Sequence, residues 1–140
     1  MPIEDDEGLR RVLEHDRVAV VGASTSYEKA AHIVPAYLQR HGYTILPVNP
    51  TATRVLEQRA YGSLDSVSQS IDIVEIFRPS EEVPTIVEQA NARDDVQAIW
   101  MQPGIRHEGA AKTAEAAGLE VVQDRCMKSE HGRLIRHPMD

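Results

Sequence analysis

At 140 residues, with 41% hydrophobic and 26% charged residues, the chain has the length and composition of one globular domain, which excludes disordered and fibrous classes. Its formal charge of -7, with no cluster of Lys and Arg, counts against a nucleic-acid partner, because such proteins neutralise phosphates with basic patches. No apolar stretch approaches the roughly 20 residues that cross a bilayer, the acidic start Glu4-Asp5-Asp6-Glu7 is unlike a signal peptide, and the single Cys126 suits a reducing compartment, so a soluble cytoplasmic protein with no membrane partner is expected.

In chain order, residues 7–15 place Leu9, Val12 and Leu13 at helical spacing, which predicts a short leading helix. Arg17-Val18-Ala19-Val20-Val21 then reads as a strand buried on both faces and ended by Gly22. From His32 to His41 the residues Ile33, Val34, Tyr37 and Leu38 follow a helical period, with Pro35 expected in the first turn and Gly42 at the C-terminal cap. Tyr43–Val48 is the second predicted strand, and Thr51–Ala60 is expected to be a loop. Further strands are predicted at Asp72–Phe77, Ala98–Met101 and Leu119–Val122, with helices at Pro84–Arg93 and Glu108–Ala117 between them. The alanine face of the last helix permits close approach to a sheet. This alternation predicts an α/β, Rossmann-like domain over residues 1–140, with a mostly parallel five-stranded sheet and helices on both faces. The expected strand order is 3-2-1-4-5.

In such a sheet ligands bind beyond the carboxyl ends of the strands, where the strand order reverses. That rule selects Gly22–Lys29, Val48-Asn49-Pro50, Phe77-Arg78-Pro79 and Gln102-Pro103-Gly104. Gly22 permits a tight bend, while Ala23 and Ser24 are small enough for a phosphate to approach the backbone N–H groups, which the positive end of the following helix reinforces. Ser24 and Thr25 offer hydroxyl donors and Lys29 a point charge, although a plain tight turn uses the same residues. The second strand ends in Pro47-Val48-Asn49-Pro50, without the acid that holds ribose hydroxyls in dinucleotide sites. Ser24 and Tyr27 also stand where the fingerprint G-x-G-x-x-G has glycines, and both facts count against a nicotinamide dehydrogenase. Asn49 has two readings, either as a hydrogen-bonding partner of adenine or ribose or as part of a turn that merely ends a strand. Arg78, directly after an apolar strand, lies at the ligand edge.

The ordered set Val20-Val21-Gly22-Ala23-Ser24, Lys29, Gly42-Tyr43, Pro47-Val48-Asn49-Pro50, Tyr61-Gly62-Ser63-Leu64, Phe77-Arg78-Pro79, Trp100-Met101-Gln102-Pro103-Gly104, Ala117-Gly118 and Asp124-Arg125-Cys126 resembles the stand-alone CoA-binding domain family. That family is similar in fold to the amino-terminal domain of the succinyl-CoA synthetase alpha subunit. The resemblance implies coenzyme A or an acyl-CoA as ligand, with its diphosphate at Ala23-Ser24-Thr25 and adenosine near Val48, Asn49 and Pro50. It also implies a pantetheine arm passing Phe77, Arg78 and Pro79 toward Met101 and Gln102, with Lys29 and Arg78 as the nearest cations. The function it implies is a non-enzymatic carrier, sensor or regulatory module, the alternative being a CoA-binding component of an acyl-CoA synthetase. A homodimer or a ligase-type partner subunit is compatible with either. Glu57 departs from the resemblance, standing where family members often carry glycine.

Four further residues invite a chemical reading. His107 beside Glu108 formally resembles an acid/base pair but fits the start of a helix better, because neighbouring residues there rarely face each other. Cys126 reads as a small buried hydrophobe, with thiol exchange or nucleophilic chemistry as lesser alternatives supported by nearby Arg125 and Lys128. His131 and His137 lack zinc-ligand spacing and are expected at the surface.

Overall fold

The structure, a computed structural model, describes residues 1–135. Its elements are α1 (Asp6–Leu13), β1 (Arg17–Val21), α2 (Ala30–Arg40), β2 (Thr44–Val48), β3 (Arg54–Val55), β4 (Gln58–Arg59), β5 (Ile73–Ile76), α3 (Val83–Asn91), β6 (Ala98–Met101), α4 (Glu108–Ala116), β7 (Glu120–Val122) and α5 (Met127–Leu134). Five strands form a parallel sheet in the order β2-β1-β5-β6-β7.

The apolar runs form strands because both faces of the sheet are covered, so successive side chains enter opposite cores. Val18, Val20, Ile73, Trp100 and Val122 face α1, α2 and α5, while Ala19, Val74, Ile76, Ile99 and Val121 face α3 and α4. Ala110, Ala111 and Ala114 bring α4 close to the second face, as their small side chains lead one to expect.

The expected strand order 3-2-1-4-5 is corrected: β5 pairs with β1, giving order 2-1-3-4-5 among the sheet strands. The outer edge of β2 is already taken. Tyr61 N–H donates to the Pro47 carbonyl at 2.9 Å, and Asn49 N–H donates to the Tyr61 carbonyl at 2.8 Å. The segment Thr51–Ala60, expected as a loop, contains the antiparallel hairpin β3–β4, with Arg54 opposite Arg59 and Val55 opposite Gln58. This hairpin carries Tyr61 onto the β2 edge, leaving β1 as the site where β5 can join. The chain therefore moves outward in one direction from β1 to β2 and in the other from β5 to β7. The reversal lies between β1 and β5.

Two helical expectations also change. Helix α2 begins at Ala30, so Pro35 lies beyond the first turn and within the helix. Helix α5, which the sequence did not signal, carries only two apolar side chains, Met127 and Leu134, and turns them with the buried His131 toward the core. Gln102 holds its start by accepting from the Met127 N–H at 3.1 Å. His131, expected at the surface, is buried, 2.8 Å from the Tyr37 hydroxyl and stacked against His41. The ring lies in the contact between α5 and α2, where an aromatic body with a polar tip packs favourably. His137 lies outside the described residues.

Candidate functional site

Three loops meet at the reversal between β1 and β5. Gly22 donates its N–H to the Val48 carbonyl at 3.0 Å, and Phe77 donates to the Val21 carbonyl at 2.9 Å. Gly22 has φ +92°, and a Cβ there would lie 3.0 Å from Arg78 Cδ and 3.4 Å from the Phe77 backbone. The Arg78 side chain thus passes directly over the glycine.

The loop from Gly22 to Lys29 is tied at several atoms. Ala23 is buried, and its carbonyl accepts from Asn49 Nδ2 at 2.9 Å. Ser24 N–H donates to the Ala31 carbonyl at 3.1 Å, while the Ser24 carbonyl lies 2.8 Å from His32 Nδ1. Ser24 Oγ accepts from Ser26 N–H at 3.0 Å, which leaves its hydroxyl hydrogen able to donate. Among the described residues the N–H groups of Ala23 and Thr25 have no protein acceptor. Thr25 and Lys29 are exposed, and Lys29 caps the start of α2 without a side-chain bond to it. Among the described residues, the donors left without a protein acceptor at Ala23, Ser24, Thr25 and Lys29 are therefore two main-chain N–H groups, of which that of Ala23 is on a buried residue, two hydroxyls and one ammonium.

Asn49 holds two loops together. Besides its bond to Ala23, its Oδ1 accepts from Thr51 N–H at 2.8 Å and Ala52 N–H at 2.9 Å. Both polar atoms of this side chain thus have protein partners. Val48 is buried beneath it and Pro50 is exposed.

After β5, Phe77 is half-buried and Pro79 exposed. Arg78 grips Glu82 through Nε at 3.0 Å and Nη2 at 2.8 Å. This bidentate pairing raises the arginine pKa and lowers that of Glu82. The pair is about half exposed, so water screens it and the guanidinium is open to an anion. After β6, Met101 and Gln102 are buried. Gln102 N–H donates to the Ile76 carbonyl at 3.3 Å, while Met101 packs in the core and the Gln102 side chain is committed to the Met127 N–H, so both lie beneath the surface of this edge.

Several residues that the sequence did not single out shape this region: His32 and Ala31 on Ser24, and Glu82 on Arg78. A pairing between Arg78 and Glu82 was open to detection from their four-residue spacing. The bonds to Ser24 carry no comparable signal. Glu75 in β5 is fully buried, with both carboxylate oxygens unpartnered among the described residues. Burial pushes its carboxyl well above the usual range, with Cys126 adding to the shift.

His107 serves as a helix cap, its Nδ1 accepting from Ala110 N–H at 2.9 Å, which commits the ring nitrogen nearest the backbone. Cys126 is half-buried at the start of α5 and packs against the core beneath that helix. A separate cavity of about 350 Å³, lined by Ile3, Arg106, Gln123, Asp124 and Arg125 among others, lies beyond β7. No described helix is long and apolar enough to cross a membrane.

The sequence pattern of the CoA binding domain matches residues 16–132. The Bacillus subtilis (strain 168) protein YneT is 36% identical over 124 residues, covering 88% of this chain and 91% of its own. A solved structure described as a hypothetical protein from Pyrococcus horikoshii OT3 superposes with TM-score 0.91 at 37% identity, over 97% of both chains. An ADP-forming acetate–CoA ligase of Archaeoglobus fulgidus is 29% identical over 103 residues, which are 72% of this chain and 15% of the ligase. From the order of the strands, the turn at their reversal and these similarities together, the chain belongs to the CoA-binding domain family.

Proposed function

We propose that this chain binds coenzyme A or an acyl-CoA and acts as a non-enzymatic carrier, sensor or regulatory module. In this reading the diphosphate lies against Ala23, Ser24 and Thr25 with Lys29 beside it. The adenosine lies by Val48, Asn49 and Pro50, and the pantetheine arm passes Phe77, Arg78 and Pro79 toward Met101 and Gln102. The observation that carries it is the turn at the reversal point, where Gly22 makes the bend at φ +92° and the N–H groups of Ala23 and Thr25 have no protein acceptor among the described residues. Main-chain donors at a strand-to-helix turn suit an anionic phosphate. Asn49 contributes chiefly by holding the adenosine-side loop to the phosphate-side loop, since its polar atoms already have protein partners.

Calorimetry provides the test. Coenzyme A is expected to bind much more tightly than NAD, because the end of β2 has no acid for a ribose diol. Replacing Lys29 by Ala removes a charge-assisted contact, and affinity is expected to fall about tenfold or more. Equal affinities for NAD and coenzyme A reject the assignment.

The 29% identity to an ADP-forming acetate–CoA ligase supports a second reading, in which the chain supplies the CoA site to an acyl-transfer assembly. Co-purification of a ligase subunit, or acyl-CoA turnover by the isolated chain, favours that reading over a lone binding module.

A further inference from the structure

Proline within an α-helix deletes the N–H that would donate to the carbonyl four residues earlier, and its ring pushes that carbonyl aside. In α2 the residue is Pro35 and the carbonyl is that of Ala31. Instead of an intrahelical donor, the Ala31 carbonyl takes the N–H of Ser24 at 3.1 Å. The other main-chain polar group of Ser24, its carbonyl, lies 2.8 Å from Nδ1 of His32, the next residue of the same turn. Ser24 is thus held to α2 at both ends of its backbone, between Ala23 and Thr25, the two residues whose N–H groups have no protein acceptor among the described residues.

We infer that Pro35 is a positioning residue for the ligand loop: by withholding its own N–H it frees the Ala31 carbonyl to fix Ser24, and so sets the direction of the flanking N–H groups. Pro35 is itself buried in the helix and touches no ligand in this arrangement. The helix gives up one internal hydrogen bond, and the loop gains one. His32 completes the clamp from the same turn, which makes the loop rigid before any phosphate arrives. Preorganisation of this kind lowers the ordering cost of binding. The inference rests on the CoA-binding reading for its consequence, but the clamp itself is a property of the free protein.

Two substitutions separate the missing donor from helix strength. Pro35→Ala and Pro35→Gly both restore the N–H, but alanine is a strong helix former and glycine a weak one. Hydrogen exchange of the Ser24 amide, followed by NMR without ligand, is expected to accelerate about fivefold or more in both variants, the equivalent of one ordinary hydrogen bond. Calorimetry with coenzyme A is expected to show a similar loss of affinity in both, while Pro35→Ala melts no earlier than the wild type. Unchanged Ser24 exchange in both variants overturns the clamp. Faster exchange with unaltered coenzyme A affinity overturns its role in positioning the loop. Failure of the wild type to bind coenzyme A defeats the ligand assignment, and the exchange measurement then still decides whether the clamp exists.

Discussion

Gly22 carries two constraints that glycine alone meets together. Its φ of +92° lies where side chains are disfavoured, and the space a Cβ would occupy is closed by Arg78 Cδ at 3.0 Å. Gly22→Ala is expected to destabilise the fold by about 1–3 kcal/mol, since a strained backbone and a displaced Arg78 add. Urea unfolding checks this, and a cost below a few tenths of a kcal/mol would show that the turn relaxes freely. The importance of Gly22 was legible because a glycine ending a buried strand has a restricted set of uses. Asn49 was singled out by its place at the end of β2, but its role as a clamp between loops was not legible. Its partners Ala23, Thr51 and Ala52 come from two loops whose closeness depends on β1 and β2 being neighbours. The same holds for Ser24, whose N–H goes to a carbonyl seven residues ahead, a pairing that no periodicity encodes.

Among the elements, strands β1, β2, β5, β6 and β7 were readable as apolar runs because burial on both faces leaves no polar alternation to confuse them. The hairpin β3–β4 was not. Its two-residue turn is Leu56-Glu57, with φ +55° and +62°, where asparagine and glycine are the usual residues and the usual signal. Leu56 is retained because its side chain packs against the core under α2 and its carbonyl accepts from Gln39 Nε2 at 3.2 Å. Glu57 is exposed, and although its carbonyl also accepts a hydrogen bond, its side chain has no packing to offset the strain. Glu57→Gly relieves the left-handed strain and keeps the carbonyl that Arg54 Nη2 contacts at 2.7 Å. A gain of about 0.5–1 kcal/mol is expected, measured as a higher urea midpoint. A loss would mean that the turn prefers a side chain at this position. Because this hairpin leads Tyr61 onto the edge of β2, it also accounts for the strand order. The alternation of strands and helices is the same in orders 3-2-1-4-5 and 2-1-3-4-5, so the choice rests on an element whose turn residues gave no warning.

At the scale of the whole molecule, opposing titrations set the dependence of stability on pH. Asp95 is held below its ordinary value of 3.8 by its bonds with Arg93, and Asp124 by the Gly104 N–H and then Arg106. Their contribution is present above that value and is lost as pH falls through the lower native one. Glu75 acts in the opposite sense. Its native pKa is raised well above 4.5 by burial, so the folded chain holds a proton that the unfolded chain releases. Stability is complete on this account below about pH 4.5 and declines as pH rises toward the native pKa, by up to about 1.4 kcal/mol per pH unit. Glu75→Gln removes the titration while keeping the shape. The variant and the wild type are expected to be close in stability near pH 4 and to diverge as pH rises, with the glutamine protein the more stable at pH 8. Urea unfolding at intervals between pH 4 and 9 measures the divergence. Parallel curves would mean that Glu75 is paired in solution and carries no excess proton into the fold. A divergence places a neutral carboxylic acid inside β5, one strand from the turn at Gly22, where an ionised group would instead repel the anionic ligand proposed for that turn.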